Sequence, residues 1–240
     1  AKANVDANLS HPIWLDEYPA HDGVAIVCGN GPSLADTLDE IRELDGVIYA
    51  CNDAANLLIE NGIEVDYQVI LEAQPRAVEE LADARFHLLA SMVNPELFKR
   101  CKNIILWHPN TPWVEEKIPK EHPPFVYIGG ASTVSMFALS IAHTMGFRSI
   151  HTFGLDSSHR EGKTHASREF DIPGQLLVTV NAFGKDYKTS YDMKEQVRVF
   201  MVMQQQLKDL GTKVSVHGSG LLPDVFNATC SRTSEQTLTT

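Results

Sequence analysis

Val24-Ala25-Ile26-Val27-Cys28-Gly29-Asn30-Gly31-Pro32-Ser33-Leu34 is the stretch on which the fold turns. Val24 to Cys28 is a short apolar run with β-branched residues, which suits a central strand covered on both faces. Gly29 and Gly31 permit backbone angles and close approaches that a Cβ would block. Pro32 fits the first position of a helix, where no N–H is needed, and Ser33 adds a hydroxyl in the first turn. A helix start of this kind offers N–H donors and a positive dipole end to a phosphate. The stretch predicts a strand, a phosphate-binding turn and a helix; the plain alternative is a tight strand-to-helix turn with no ligand.

Outward from this stretch, short apolar runs alternate with helical patterns. Strands are predicted over 47–51, 67–71, 86–90, 104–107, 125–128, 149–153 and 213–217. Helices are predicted over 32–44, 52–61, 75–84, 94–100, 133–145 and 192–210. Leu34, Leu38, Ile41 and Leu44 recur at helical spacing in the first of these. The alternation implies a Rossmann-like, doubly wound α/β fold with a mostly parallel sheet and helices on both faces. Residues 1–23 read as an irregular arm and 24–230 as one nucleotide-binding domain. Inserts or lids are expected at about 108–123 and 154–190, the second with a β-hairpin. Residues 231–240, rich in Ser, Thr and Gln, read as a disordered tail.

The chain has 240 residues, 43% hydrophobic and 21% charged, with a net charge of −11. That is ordinary for a globular chain, and the charge argues against a nucleic-acid or anionic-membrane partner. No apolar run is long enough to span a bilayer. No signal peptide is visible, although Ala1 is not a natural start. Cys28, Cys51, Cys101 and Cys230 form no Cys-x-x-Cys pair and read as small buried hydrophobes in a reducing compartment, so a cytoplasmic location is expected.

Five groups of residues could carry chemistry. Gly29, Asn30, Gly31, Pro32 and Ser33 form the first turn. Leu34 stands where a dinucleotide fingerprint needs its third glycine, which weakens an NAD reading, and no Gly-Lys-Ser/Thr follows, so no Walker loop is formed. The Asn30 amide can donate and accept toward a phosphate or leaving group; alternatively it bonds its own turn. Asn52 and Asp53, after the second strand, could reach a ribose or phosphate, or cap the next helix. Gly129, Gly130, Ser132 and Thr133 open another small-residue helix start suited to an anion or to close packing. Asp156 ends the sixth strand and could hold a divalent ion or a hydroxyl. His159 and His165 follow as acid/base candidates or as solvated side chains. Glu72 ends the third strand as a metal or sugar ligand, or as a helix cap.

Taken in order, these residues resemble one family. Val27-Cys28-Gly29-Asn30-Gly31-Pro32-Ser33-Leu34 is very like the first motif of the Campylobacter-type bacterial sialyltransferases. It is also similar to that of the MptE-like (6-hydroxymethylpterin diphosphokinase-like) and motility accessory factor proteins. Cys51-Asn52 looks like their second motif; Gly130 to Met145, Gly146-Phe147-Arg148-Ser149-Ile150 and Gly154-Leu155-Asp156 look like a shared third block. The sialyltransferase resemblance implies a CMP-activated sugar, with Asn30, Ser33, Asn52, Ser132 and Thr133 at the nucleotide. Those enzymes carry a base histidine before the penultimate helix. Here that segment is Tyr187-Lys188-Thr189-Ser190-Tyr191-Asp192, so Tyr187, Tyr191 or a loop histidine would have to take the role, or the reaction differs. The pterin branch implies diphosphate transfer from ATP with Mg²⁺, with Glu72 where that branch usually shows aspartate; Asp156, Glu72 or Asp53 would then hold the metal.

The leading expectation is therefore a nucleotide-dependent transferase, most like a glycosyltransferase using a CMP-sugar and a glycan acceptor. The alternatives are an Mg²⁺/ATP diphosphokinase acting on a pterin and a nucleotide-binding module without catalysis. A homo-oligomer is compatible with each.

Overall fold

A computed structural model describes residues 1–118, 126–130, 133–166 and 176–237. Ser132 and parts of both inserts lie outside the described residues. Eight strands form one parallel sheet: β1 (His21–Cys28), β2 (Val47–Cys51), β3 (Tyr67–Ile70), β4 (Phe86–Ala90), β5 (Ile104–Pro109), β6 (Tyr127–Ile128), β7 (Phe147–Phe153) and β10 (Lys213–Val216). Their spatial order is β10-β7-β1-β2-β3-β4-β5-β6. The chain steps outward from β1 to β6, then returns to place β7 on the other flank of β1. The strand order therefore reverses at the β1–β7 pair, where an open α/β sheet leaves a crevice beyond the strand ends. The antiparallel hairpin of β8 (Leu177–Ala182) and β9 (Lys185–Ser190) stands apart. It turns at Phe183 and Gly184, both with positive φ (53° and 71°), the geometry of a two-residue hairpin turn.

The period of two along β1 explains its unbroken apolar run. Ala25 and Val27 face one core with α5 (Val134–Thr144), α6 (Tyr191–Asp209) and α7 (Leu221–Thr237). Ile26 and Cys28 face the other, with Leu34, with Ile41 of α2 (Leu38–Glu43) and with Leu58 of α3 (Ala54–Glu60). The sheet is thus covered on both faces, as expected for a doubly wound fold.

Three predicted helices are shorter than expected, and buried side chains account for two of them. Over 75–84 a single 3₁₀ turn, Pro75–Val78, forms. Buried Gln68 captures the backbone beyond it: its amide donates to Glu80 O (2.7 Å) and to Asn52 O (2.9 Å), and its carbonyl accepts from Ala82 N (3.0 Å). These groups are unavailable to a helix ladder. The predicted helix 32–44 splits into a 3₁₀ turn, Pro32–Asp36, and α2, broken at Thr37, whose hydroxyl bonds back to Leu34 O (3.0 Å). The third, over 94–100, is the 3₁₀ turn Pro95–Lys99.

The N-terminal segment, read as an irregular arm, packs against the sheet. It begins with α1 (Lys2–Asn8). Leu15 N donates to Leu106 O (2.6 Å) and Leu106 N to Ile13 O (3.0 Å), so this segment covers the flank of β5 left open by short β6. Buried Asn8 donates to Ser91 O and Val93 O, both at 3.0 Å. Asn8→Ala leaves two carbonyls without their donor and is expected to cost about 1–3 kcal/mol, read as a fall in the urea midpoint at unchanged slope.

At the other end, α7 runs to Thr237, into the stretch whose composition reads as a disordered tail. Cys28 and Cys51 are buried free thiols, as expected, whereas Cys230 is exposed.

Candidate functional site

A cavity of about 540 Å³ opens at the carboxyl edge of the sheet, across the β1–β7 reversal. Its floor is built from two turns 123 residues apart. Gly31 N donates to Gly154 O (2.8 Å) and Gly29 N to Phe153 O (2.8 Å). A Cβ on Gly31 would stand 2.6 Å from Gly154 O and 2.7 Å from the Asp156 carboxyl carbon. The two glycines are therefore required by close approach of turn to turn.

Asp156 locks this junction. It accepts from Ser33 N (2.7 Å, Oδ2) and from Ser33 Oγ (2.6 Å, Oδ1). Burial pushes its carboxyl up to about 6, against the pull of the Ser33 hydrogen bonds and of Arg160. Arg160 in turn pairs with Asp36 at the end of the 3₁₀ turn. This arrangement corrects the expected phosphate corner. The donors at 29, 31 and 33 are spent on Phe153 O, Gly154 O and Asp156, and Leu34 N bonds to Gly31 O (3.0 Å). The Gly-Asn-Gly-Pro-Ser turn is a junction to β7, not a ready anion nest.

The better anion site is the second helix start. Thr133 caps α5, its hydroxyl accepting from Met136 N (3.4 Å). The other first-turn N–H groups have no intrahelical acceptor, no acidic residue sits in that turn, and Thr133 to Met136 line the cavity. The start of α6, capped by Ser190 Oγ to Met193 N (3.2 Å), lines it too, but carries Asp192 and Glu195. Carboxylates there offset the dipole, so that wall suits hydroxyl groups better than an anion.

The expected site residues divide. Asn30, Gly31, Asn52, Asp53, Thr133, Asp156 and His165 line the cavity. Asn52 adopts φ 48°, and its Oδ1 is buried without a hydrogen-bond partner, a polar atom that a ligand donor would satisfy. Ala166 N donates to Asn30 O (2.9 Å), drawing His165 over the turn; Thr164 Oγ1 and His165 Nδ1 are 2.8 Å apart. Gly29, Pro32 and Ser33 lie behind the wall. So does Gly130, where a Cβ would collide with the Phe137 ring.

The other acid/base candidates lie off the lining. His159 pairs with Lys188 of β9 through its backbone, and burial lowers its pKa. The Tyr187 hydroxyl donates to the Asp224 carboxylate. Burial and that partner raise it to about 12, so it is no base near neutrality. Tyr191 is 64% exposed. Glu72 is not on the lining either; its Oε2 accepts from Arg76 Nη2 at 2.5 Å and Nε at 3.0 Å.

Among the described residues, Mg²⁺ finds no fit. Glu72 is committed to Arg76 and Asp156 to Ser33, and among the described residues no group of three or more His, Cys, Asp or Glu is placed to hold a metal ion. Sequence reasoning also passed over Arg76, Ser190, Asp192, Glu195 and Gln196. Arg76 was legible in principle, since it follows β3 at the same edge.

The family model for "6-hydroxymethylpterin diphosphokinase MptE-like" matches residues 3–162. The chain belongs to the MptE-like family. That span holds both turns of the junction, Asn52, Arg76 and α5. Among solved structures, the chain is similar to the MAf glycosyltransferase from Magnetospirillum magneticum AMB-1, with a TM-score of 0.64 and 18% identity over 92% of this chain. This chain spans 36% of that protein's length. At this identity the likeness is one of fold. No curated protein matches in sequence. Among the described residues, no helix of this MptE-like chain is long and apolar enough to cross a membrane.

Proposed function

We infer that this MptE-like protein is a transferase that uses a nucleotide-activated donor, with a CMP-linked sugar as the leading donor and a glycan hydroxyl as acceptor. The observation that carries the reading is the α5 start opening on a cavity at the strand-order reversal, beside Asn52 with its unsatisfied Oδ1. The α5 dipole and N–H groups stabilise the phosphate that departs with the nucleotide. His165 takes the proton of the acceptor hydroxyl. The acceptor oxygen bonds to the anomeric carbon as that carbon's bond to the phosphate oxygen breaks. Asp192 offers an acceptor to sugar hydroxyls.

A second reading, diphosphate transfer from ATP to a pterin, is favoured by the name of the family model. Among the described residues the carboxylates do not assemble a metal centre, so no step is assigned to Mg²⁺.

Thermal shift with CMP and with ATP, each with and without Mg²⁺, separates the readings. CMP is expected to raise Tm without metal, and Asn30→Ala to weaken that shift without unfolding the chain. Stabilisation by ATP with Mg²⁺ but not by CMP favours the second reading; no shift with either nucleotide overturns both.

A further inference from the structure

Five described non-glycine residues hold a positive φ: Asn52, Asn103, Ser157, Glu161 and Phe183. Four of them have a local reason. Asparagine tolerates this region, which covers Asn52 and Asn103. Glu161 and Phe183 each precede a glycine of positive φ, the pattern of a two-residue hairpin turn. The Arg160–Lys163 bridge and the β8–β9 pairing close those two turns. Neither reason covers Ser157, at φ 49°.

Ser157 follows Asp156 beyond the carboxyl end of β7 and lines the cavity. The chain around it is clamped. Asp156 O accepts from Leu222 N (3.1 Å), Ser157 O from Thr189 Oγ1 (2.9 Å), and Ser158 Oγ from Leu221 N (3.2 Å). None of these bonds uses the Ser157 side chain. A glycine would allow them all and adopt the angle without the penalty of a Cβ. The hydroxyl is therefore kept despite the strain, which the surrounding bonds hold in place. Its partner among the described residues is Gln196 Oε1 at 3.4 Å, the outer limit of a hydrogen bond and too weak to account for it. The Gln196 amide brings two N–H donors to the same lining, and Asp192, four residues earlier on α6, brings a carboxylate. Hydroxyl, amide and carboxylate supply the mixed donors and acceptors that neutral, neighbouring sugar hydroxyls require.

We propose that Ser157, with Gln196 and Asp192, forms a subsite for the hydroxyl groups of a sugar, and that Ser157 is a specificity residue kept in a strained conformation for that contact. The proposal deepens the transferase reading and rests on it for the reaction the bound sugar undergoes. The recognised chemistry is the neutral sugar hydroxyl, which has two sources: the acceptor glycan, or the sugar carried on the nucleotide.

Calorimetric melting and ligand-observed NMR titration of the full chain test this with methyl β-galactoside, methyl β-glucoside, CMP and CMP-N-acetylneuraminic acid. Ser157→Gly is expected to melt no lower than the wild type, because strain is relieved, and to bind a sugar probe about fivefold more weakly, the usual loss for one hydrogen bond. Ser157→Ala is expected to share the binding loss while keeping the strain, and so to melt below Ser157→Gly. Glu161→Gly relieves the same angle outside the cavity and is expected to bind every probe as the wild type does. A loss on the methyl glycosides names the acceptor as the source of the hydroxyls. A loss on CMP-N-acetylneuraminic acid, with CMP unchanged, names the transferred sugar. Wild-type affinity of Ser157→Gly for every probe overturns the proposal. So does a Ser157→Gly chain that melts below Ser157→Ala, or a wild type that binds no methyl glycoside and gains nothing from the sugar on CMP. Ser157-dependent binding of a methyl glycoside without binding of CMP keeps the proposal and sinks the nucleotide reading. Binding of CMP with no contribution from any sugar does the reverse.

Discussion

Gly31→Ala is expected to lower stability by about 3 kcal/mol, or roughly 6–12 °C in Tm for a chain of this size. Backbone strain is not the cause, because Gly31 has an ordinary φ of −64°. The cause is the space. The added methyl would stand 2.6 Å from Gly154 O and 2.7 Å from Asp156 Oδ1. One neighbour is backbone and the other a carboxylate held by two bonds from Ser33, so neither yields cheaply. Relief requires the β1 and β7 turns to separate, which breaks the Gly31–Gly154 bond and widens the cavity floor. Gly129→Ala is the matched control: nothing lies within 4 Å of its added Cβ, and a change within about 0.5 kcal/mol is expected. A Gly31→Ala chain as stable as the wild type in calorimetry would mean that the two turns do not meet as described.

The second large effect is one of pH. Asp156, 4% exposed, has its carboxyl raised from 3.8 to about 6, chiefly by burial. A carboxyl whose folded pKa lies above its unfolded one favours the fold below the unfolded value. That contribution is lost as pH rises through the folded value. Ionising Asp156 therefore costs stability between about pH 4 and pH 6. At roughly 1.4 kcal/mol per pH unit of difference, the total is on the order of 3 kcal/mol. Asp156→Asn keeps the shape and cannot ionise. Urea unfolding of both chains at four pH values between 4.5 and 7.5 is expected to show the variant gaining on the wild type as pH rises, with the gain levelling off above pH 6.5. A difference that stays constant across that range would remove ionised Asp156 as the source.

How far the residues announced this arrangement depends on whether the governing contact is local. The strand–turn–helix at Val24–Leu34 was legible because period, glycine spacing and Pro32 all act within a few residues. So were the helix start at Thr133 and the presence of a β-hairpin in the 154–190 insert, whose turn falls at Phe183-Gly184. At the first turn a donor that the phosphate reading counts on is taken by a partner far along the chain: Asp156 accepts from the Ser33 N–H across 123 residues. The same holds for the lost helix at 75–84, where Gln68 looks like an exposed polar residue in sequence yet is wholly buried and bonded to the backbone beyond it. Tyr187 was a reasonable base on residue type alone. Its bond to Asp224, 37 residues on, removes it. Arg76 escaped notice because only folding brings it to the same cavity as Asn52 and Thr133.

The seam between the β1 and β7 turns also bears on how the chain acquires its cavity. β1 forms early in the sequence, but its second flank stays open until the chain has run outward through β6 and returned. Closing so long a loop carries an entropic cost that local contacts cannot offset in advance. Neither turn has its hydrogen-bond partners until then, and the cavity floor is made of nothing else. The binding surface is thus a late product of folding, absent from any intermediate that lacks β7. A chain that misplaces β7 would keep most of its sheet and have no site at all.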